Sequence, residues 1–149
     1  MIDAFRGKYM KLSNYSLVTI MYEGHAYMSV EHAYQAQKTT DPVLQKQIRD
    51  SPTPATAKKL ARSVPLRPDW EEVKVPIMLQ LLREKFAQEP ERTILMTTYD
   101  EELVEGNWWN DTFWGVCNGV GENMLGKLLM KVRQELWEEL AMDGGSLPI

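Results

Sequence analysis

An acid and a base on one stripe of a potential helix are the first residues in this sequence whose spacing could do chemistry. Within Ser29-Val30-Glu31-His32-Ala33-Tyr34-Gln35-Ala36-Gln37-Lys38, the positions Glu31, Gln35 and Lys38 fall at i, i+4 and i+7. Ser29 occupies the N-cap position, which puts Glu31 in the first turn. Free backbone N–H groups and the positive end of the helix dipole hold a carboxylate ionised there. Lys38 follows about 10 Å further along, at ~1.5 Å rise per residue. An ionised acid and a cation at fixed separation suit a small, polar, phosphorylated ligand. The same spacing also describes an ordinary solvated helix, whose terminal charges contribute roughly 0.3–1 kcal/mol each.

A second stretch that could carry chemistry is Asn107-Trp108-Trp109-Asn110-Asp111-Thr112-Phe113-Trp114-Gly115. A carboxylate set against indole faces loses hydration, which raises its pKa. Indole planes also stack on nucleobases, at roughly 1–3 kcal/mol per base. Packing offers the alternative, with Trp108 and Trp109 as core or rim residues and Asp111 as a turn former. Elsewhere the chemistry is thin. His25, His32 and Cys117 lack the paired spacing of metal ligands, so no metal and no cofactor is expected. Cys117, in a glycine-rich turn, reads as a small buried residue rather than a nucleophile paired with His32. No glycine-rich phosphate loop of the strand-to-helix kinds is present.

These residues need a scaffold, and the composition supplies one. The chain has 149 residues, 44% hydrophobic and 26% charged, which fits one globular domain with a single core. A net charge of −4 argues against unspecific binding to a nucleic-acid backbone but leaves room for a local basic pocket. One cysteine permits no internal disulfide and fits a reducing compartment. Met1 to Arg6 lacks the apolar segment of a secretion signal, and no apolar run reaches membrane-spanning length. A soluble, cytoplasmic protein without membrane association is expected.

Leu17 to Tyr22 reads as a short buried strand, turned by Glu23-Gly24 into Ala26 to Met28 as a hairpin. The helix carrying Glu31 fades near Thr39-Thr40. Asp41-Pro42 and Thr53-Pro54 each start a helix, to about Arg49 and about Ser63, with Leu44, Ile48, Ala57 and Leu60 facing inward. Asp69 caps a longer helix with Trp70 and Val73 on one face and Ile77, Met78, Leu81, Leu82 and Phe86 as its stripe. Pro76 should kink this helix or split off a first piece. Thr93 to Thr97 is a short helix or a strand, and Leu103-Val104-Glu105 a strand ending at Gly106. A last helix from about Glu122 to Leu140 buries Leu125, Leu128, Leu129, Val132, Leu136 and Leu140, and Gly126 inside it marks a close contact. Residues 142–149 read as a flexible tail.

Several of these segments resemble one known family. Val30-Glu31-His32-Ala33-Tyr34-Gln35-Ala36 with Lys38 closely resembles the signature of the NADAR/YbiA-like family of N-glycosidases. Phe5, Gly7, Tyr9, Leu12, Ser13 and Asn14 are similar to its amino-terminal segment. Arg67, Asp69, Trp70, Val75 and Met78, followed by Lys85-Phe86, resemble its middle motif. Asp111, Trp114 and Gly115 fit its Asp-x-x-Trp-Gly element. Gly121, Asn123, Leu125, Gly126, Leu129, Met130, Val132 and Arg133 resemble its carboxyl-terminal signature. Departures occur at Lys11, at Tyr15-Ser16 and at Thr39, where the family favours aromatic residues.

The resemblance implies an α+β, predominantly helical fold: a single YbiA-like domain over residues 1–141, with several helices around a small antiparallel sheet or hairpin. It implies an N-glycoside hydrolase that cleaves the ribose–base bond of a phosphorylated riboside of the riboflavin-intermediate type. The alternatives are an ADP-ribosyl hydrolase acting on a modified nucleobase and, in another class, a non-catalytic nucleotide or ADP-ribose binding module. The partner is then a small nucleotide-like substrate or, in the ADP-ribose reading, an ADP-ribosylated nucleic acid. By the same resemblance Glu31 is the catalytic carboxylate and Asp111 the second acid. Trp70 and Trp114 with Gly115 shape the base slot, Asn14 and Asn123 bond sugar or base edges, and Lys38 with Arg6 meets phosphate.

Overall fold

The computed structural model describes residues 1–144, and residues 145–149 of the expected tail lie outside it. Two compact units are distinguished, one of Asn14–Lys85 and one of Met1–Ser13 together with the chain from Phe86 onward.

In the Asn14–Lys85 unit, Ile20–Tyr22 (β1) pairs antiparallel with His25–Tyr27 (β2), Ile20 opposite Tyr27. The turn residues Glu23 and Gly24 both take positive φ, 48° and 82°, as two-residue hairpin turns require. The strand is shorter than the apolar run suggested, and Leu17 is exposed. Val30–Ala36 (α1) follows, with the Ser29 hydroxyl accepting the His32 N–H at 3.0 Å. It ends earlier than its stripe implied, and Lys38 stands in the turn beyond, its N–H on the Gln35 carbonyl at 3.2 Å.

Pro42–Arg49 (α2) and Pro54–Ala61 (α3) both begin with the anticipated cap and proline, Asp41 accepting from Val43 N–H and Thr53 from Thr56 N–H. Both pack on α1. Ile48 and Ala57 are buried as expected, but Leu44 is half-buried and Leu60 is exposed. The small residues Ala57 and Ala61 do the packing of α3 instead. Trp70–Phe86 (α4) runs unbroken through Pro76. Pro76 and Glu72 are both exposed, so the carbonyl deprived of its helical partner meets water and the helix is not interrupted.

All seven residues of α1 are buried, the polar ones included. His32, with no exposed surface, places Nε2 3.0 Å from the Ser51 carbonyl and Nδ1 2.7 Å from the Ser29 hydroxyl. A carbonyl only accepts, so Nε2 carries the hydrogen, and Nδ1 accepts from the hydroxyl. The ring is thereby neutral, and burial pushes its pKa below 6.5 against the opposing pull of the Ser51 carbonyl. His32 ties the first turn of α1 to the segment between α2 and α3.

In the other unit, a 3-10 helix at Gly7–Leu12 packs on Glu91–Met96 (α5), which in turn packs on Met124–Met142 (α6). The undecided segment near Thr93 is thus helical. Lys11 places its ammonium 3.5 Å from the buried carboxylate of Glu91, which accounts for a cation there. Buried Arg133 of α6 donates to the Thr98 hydroxyl at 2.9 Å and the Glu101 carbonyl at 2.8 Å. Leu125, Leu128, Leu129, Val132 and Leu136 form the expected buried stripe, with Leu140 at its half-buried end.

The strand expected at Leu103-Val104-Glu105 is only a parallel bridge from Leu103 to Ile2. A parallel pair forms just beyond it instead, Gly106–Asn107 (β3) with Val116–Cys117 (β4). Two-residue strands carry no periodicity, which is why the sequence did not disclose them. Among the described residues no helix is long and apolar enough to cross a membrane.

A Cβ added to Gly126 would stand 2.1 Å from the Leu103 carbonyl oxygen. Gly126→Ala should therefore cost about 1–3 kcal/mol, read as a lower urea midpoint at unchanged slope; wild-type stability would contradict the contact. For His32, the depressed folded pKa means that the unfolded chain binds more protons below pH 6.5. Its contribution is complete above 6.5 and declines as pH falls from there toward the folded-state pKa. Thermal midpoints measured across this range should drop more steeply in the wild type than in His32→Gln.

Candidate functional site

Of the residues with chemical promise, Asn14, Glu31, Lys38 and Trp70 belong to the Asn14–Lys85 unit, and Arg6, Asp111, Trp114, Gly115 and Asn123 to the other.

Glu31 is 7% exposed. Its backbone N–H donates to the Asn14 carbonyl at 3.1 Å, and its Oε1 accepts from the side-chain amide of Gln35 at 2.8 Å. The i, i+4 spacing read from the sequence is thus a hydrogen bond. Asn14 is itself buried, with Nδ2 3.6 Å from the Met78 sulfur. Two buried acceptor atoms here have no hydrogen-bond partner, Asn14 Oδ1 and Gln35 Oε1. Nearby polar burial extends to Lys85, which has no exposed surface and donates to the Ser16 hydroxyl at 3.0 Å.

Lys38 is half-buried, its ammonium 5.8 Å from the Tyr34 ring centroid. Burial lowers its pKa below 10.5, the Glu31 charge opposes that, and Lys58, Arg62 and Lys74 add to the lowering. Those three cations, Lys58 on α3, Arg62 just past its end and Lys74 on α4, were not singled out from the sequence, because only the fold sets their charges to act on Lys38. Together they make a local basic field on an acidic chain. The turn carrying Lys38 is held from outside. The Arg67 N–H donates to the Lys38 carbonyl at 2.8 Å, and its guanidinium grips Asp69 at 2.6 and 3.0 Å and the Gln37 carbonyl at 3.4 Å. Trp70 is buried, its ring 5.1 Å from that of Tyr34 at a 53° tilt.

In the other unit, side-chain-to-backbone bonds shape the aromatic segment. Asn107 accepts the Asp111 N–H at 3.1 Å and donates to the Asp111 carbonyl at 2.9 Å and the Glu105 carboxylate at 3.1 Å. Asp111 Oδ1 accepts the N–H groups of Phe113 and Trp114 at 3.2 and 2.9 Å. One oxygen of Asp111, Oδ1, therefore forms the turn. Trp114 is half-buried and meets the Phe113 ring edge-on at 4.9 Å.

Gly115 is a glycine for steric reasons, since a Cβ would fall 1.9 Å from the Glu105 carboxylate and 2.1 Å from its carbonyl. Asn123 bonds backbone at both ends of its amide. Its Oδ1 accepts the Glu105 N–H at 3.0 Å and its Nδ2 donates to the Leu103 carbonyl at 2.9 Å. Asn123 is buried, and one bond at each end of its amide ties the Leu103–Glu105 stretch to the start of α6. Trp108 and Trp109, 71% and 46% exposed, are rim residues, not core. Arg6 sets its guanidinium 5.5 Å from the Trp108 ring centroid, and both line a cleft of about 560 Å3 with Asp3 and Asn107.

The comparisons with known proteins converge on these features. The NADAR domain model matches residues 4–137. The chain is similar to N-glycosidase YbiA of Shigella flexneri serotype 5b, 40% identical over 132 residues that cover 86% of this chain and 82% of that protein. It is also similar to a riboflavin biosynthesis protein of Vibrio vulnificus, 40% identical over 131 residues covering 85% of this chain and 35% of that protein. The NMR structure of the E. coli protein YbiA matches with a TM-score of 0.81 at 38% identity, covering 93% of this chain and 88% of that one. The predominantly helical α+β fold and the motifs around Glu31, Trp70, Asp111 and Asn123 are those of one family: this chain belongs to the NADAR domain family.

Proposed function

We propose that this chain is an N-glycoside hydrolase that cleaves the ribose–base bond of a phosphorylated riboside of the riboflavin-intermediate type. The observation that carries the reading is Glu31, a buried carboxylate held by the amide of Gln35 in a chain whose relatives include named N-glycosidases. The Vibrio relative's name favours the riboflavin-type substrate over an ADP-ribosylated base. A pure binder of anionic ligands gains nothing from a buried acid beside its cations, which weighs against a non-catalytic module. The buried lone thiol of Cys117 supports a reducing, cytoplasmic setting.

Breaking the C1′–N bond sends its electron pair to the base and leaves positive charge on the anomeric carbon and ring oxygen. Glu31 stabilises that charge, because a preorganised carboxylate in a dry site acts at low dielectric. Water then bonds to the anomeric carbon, and the proton it loses ends on the base that left with the electron pair. Asp111, whose Oδ1 is fixed by two N–H groups, is the second acid of this reading. Lys38, within the field of Lys58, Arg62 and Lys74, holds the phosphate. Trp70, set against Tyr34, is the aromatic that this reading gives to the base. Trp114, Gly115 and Arg6 of the other unit keep the substrate-binding roles that the resemblance implies.

Release of base and ribose phosphate from early riboflavin-pathway ribosides, run beside ADP-ribosylated nucleobases, tests the reading. Glu31→Gln should lower kcat by roughly 10²–10⁴-fold with the thermal midpoint retained. Asp111→Asn keeps an acceptor for the turn and should lose activity at near-normal stability, whereas Asp111→Ala should lose both. Saturable binding of the ribosides without turnover by the wild type would replace the hydrolase with the binding module.

A further inference from the structure

We infer that Gln35 and Asn14 form a ribose-reading pair, their unpartnered carbonyl oxygens accepting hydrogen bonds from the vicinal hydroxyls of the sugar. The inference rests on the hydrolase reading only for its substrate class, and it adds a residue, Gln35, and a selectivity, riboside over 2′-deoxyriboside. Gln35 is 2% exposed and Asn14 9%, so water has little access to either amide. Each amide has its nitrogen end engaged, Gln35 on the Glu31 carboxylate at 2.8 Å and Asn14 on the Met78 sulfur at 3.6 Å. Each leaves its oxygen end without a partner.

Flipping Gln35 would bring its oxygen against an ionised carboxylate, so its orientation is fixed by charge. Asn14 is anchored to the same place through its carbonyl, which accepts the Glu31 N–H at 3.1 Å. One orphan acceptor thus belongs to the side chain bonded to Glu31, and the other to the residue whose backbone bonds Glu31. A buried acceptor left unsatisfied is costly, and its partner must be a donor. Phosphate and ring oxygens are acceptors only, and the Lys38 field suits them. Ribose hydroxyls are donors, and they adjoin the anomeric carbon whose charge Glu31 is placed to stabilise. A site built to bond a hydroxyl discriminates strongly against the analogue that lacks it.

Binding of ribose 5-phosphate and 2-deoxyribose 5-phosphate, measured by calorimetry on the whole chain, tests this without turnover. The wild type should bind the deoxy sugar about 10- to 100-fold more weakly. Gln35→Met, of similar length but without the acceptor, should bring the two affinities together mainly by weakening the ribose form. Equal affinities in the wild type, binding of neither sugar, or an unchanged ratio in Gln35→Met would overturn the inference. Should Gln35→Met fail to fold, Asn14→Leu applies the same test to the second oxygen. An enzyme that discriminates the sugars but releases no base would lose the hydrolase reading and keep this one.

Discussion

Everything around α1 follows from burying a short helix whose residues include Glu31, His32 and Gln35. A polar group taken from water without a partner costs more than most single contacts return, so each of these side chains dictates a neighbour. His32 fixes Ser29 on one side and the Ser51 carbonyl on the other. Glu31 fixes the Gln35 amide, and its backbone N–H fixes the Asn14 carbonyl. The prolines and caps of α2 and α3 then serve to bring small residues and Ser51 against α1 at close range. The helix is held by its hydrogen bonds as much as by apolar packing, and the unpartnered oxygens of Gln35 within it and Asn14 bonded to it stand out among the described residues.

The other unit solves a different problem with similar means. A loop crowded with aromatic side chains has little regular backbone pairing, so Asn107, Asp111 and Asn123 supply it from their side chains. Gly115 and Gly126 let the strands and α6 approach to distances that no Cβ would permit. Asn123 sits in the left-handed region at φ 52° and braces the stretch from Leu103 to Glu105. In this loop, rigidity comes from side-chain bonds to backbone and from missing methyl groups, beside the apolar stripe that α6 buries.

Helix positions were legible wherever a cap and a proline coincided, as at Asp41-Pro42 and Thr53-Pro54, because the local chemistry of a helix start does not depend on the rest of the fold. The stripes of α4 and α6 were legible by period, and Gly126 by its incongruity in a helix. What escaped was non-local. The two-residue parallel pair at Gly106 and Val116 has no pattern of its own, and the cations around Lys38 come from different helices. Asn123 and Asp111 were found as motif residues, yet the backbone groups they bond are brought to them only by the fold. Leu60 illustrates the opposite limit, an apolar residue on an amphipathic helix that faces solvent because alanines already fill the contact.

The exposed indoles of Trp108 and Trp109 stand outside this braced framework, touching each other edge-on and, for Trp108, the guanidinium of Arg6. Side chains that no buried neighbour leans on can be exchanged at little energetic penalty, usually within about 0.5 kcal/mol. Mutation can therefore redraw the rim at Trp108 and Trp109 freely while the braces at Gly115, Asn123 and Asp111 stay fixed. A fold divided in this manner into an immovable frame and an editable lip is suited to acquire new clients without rebuilding its machinery.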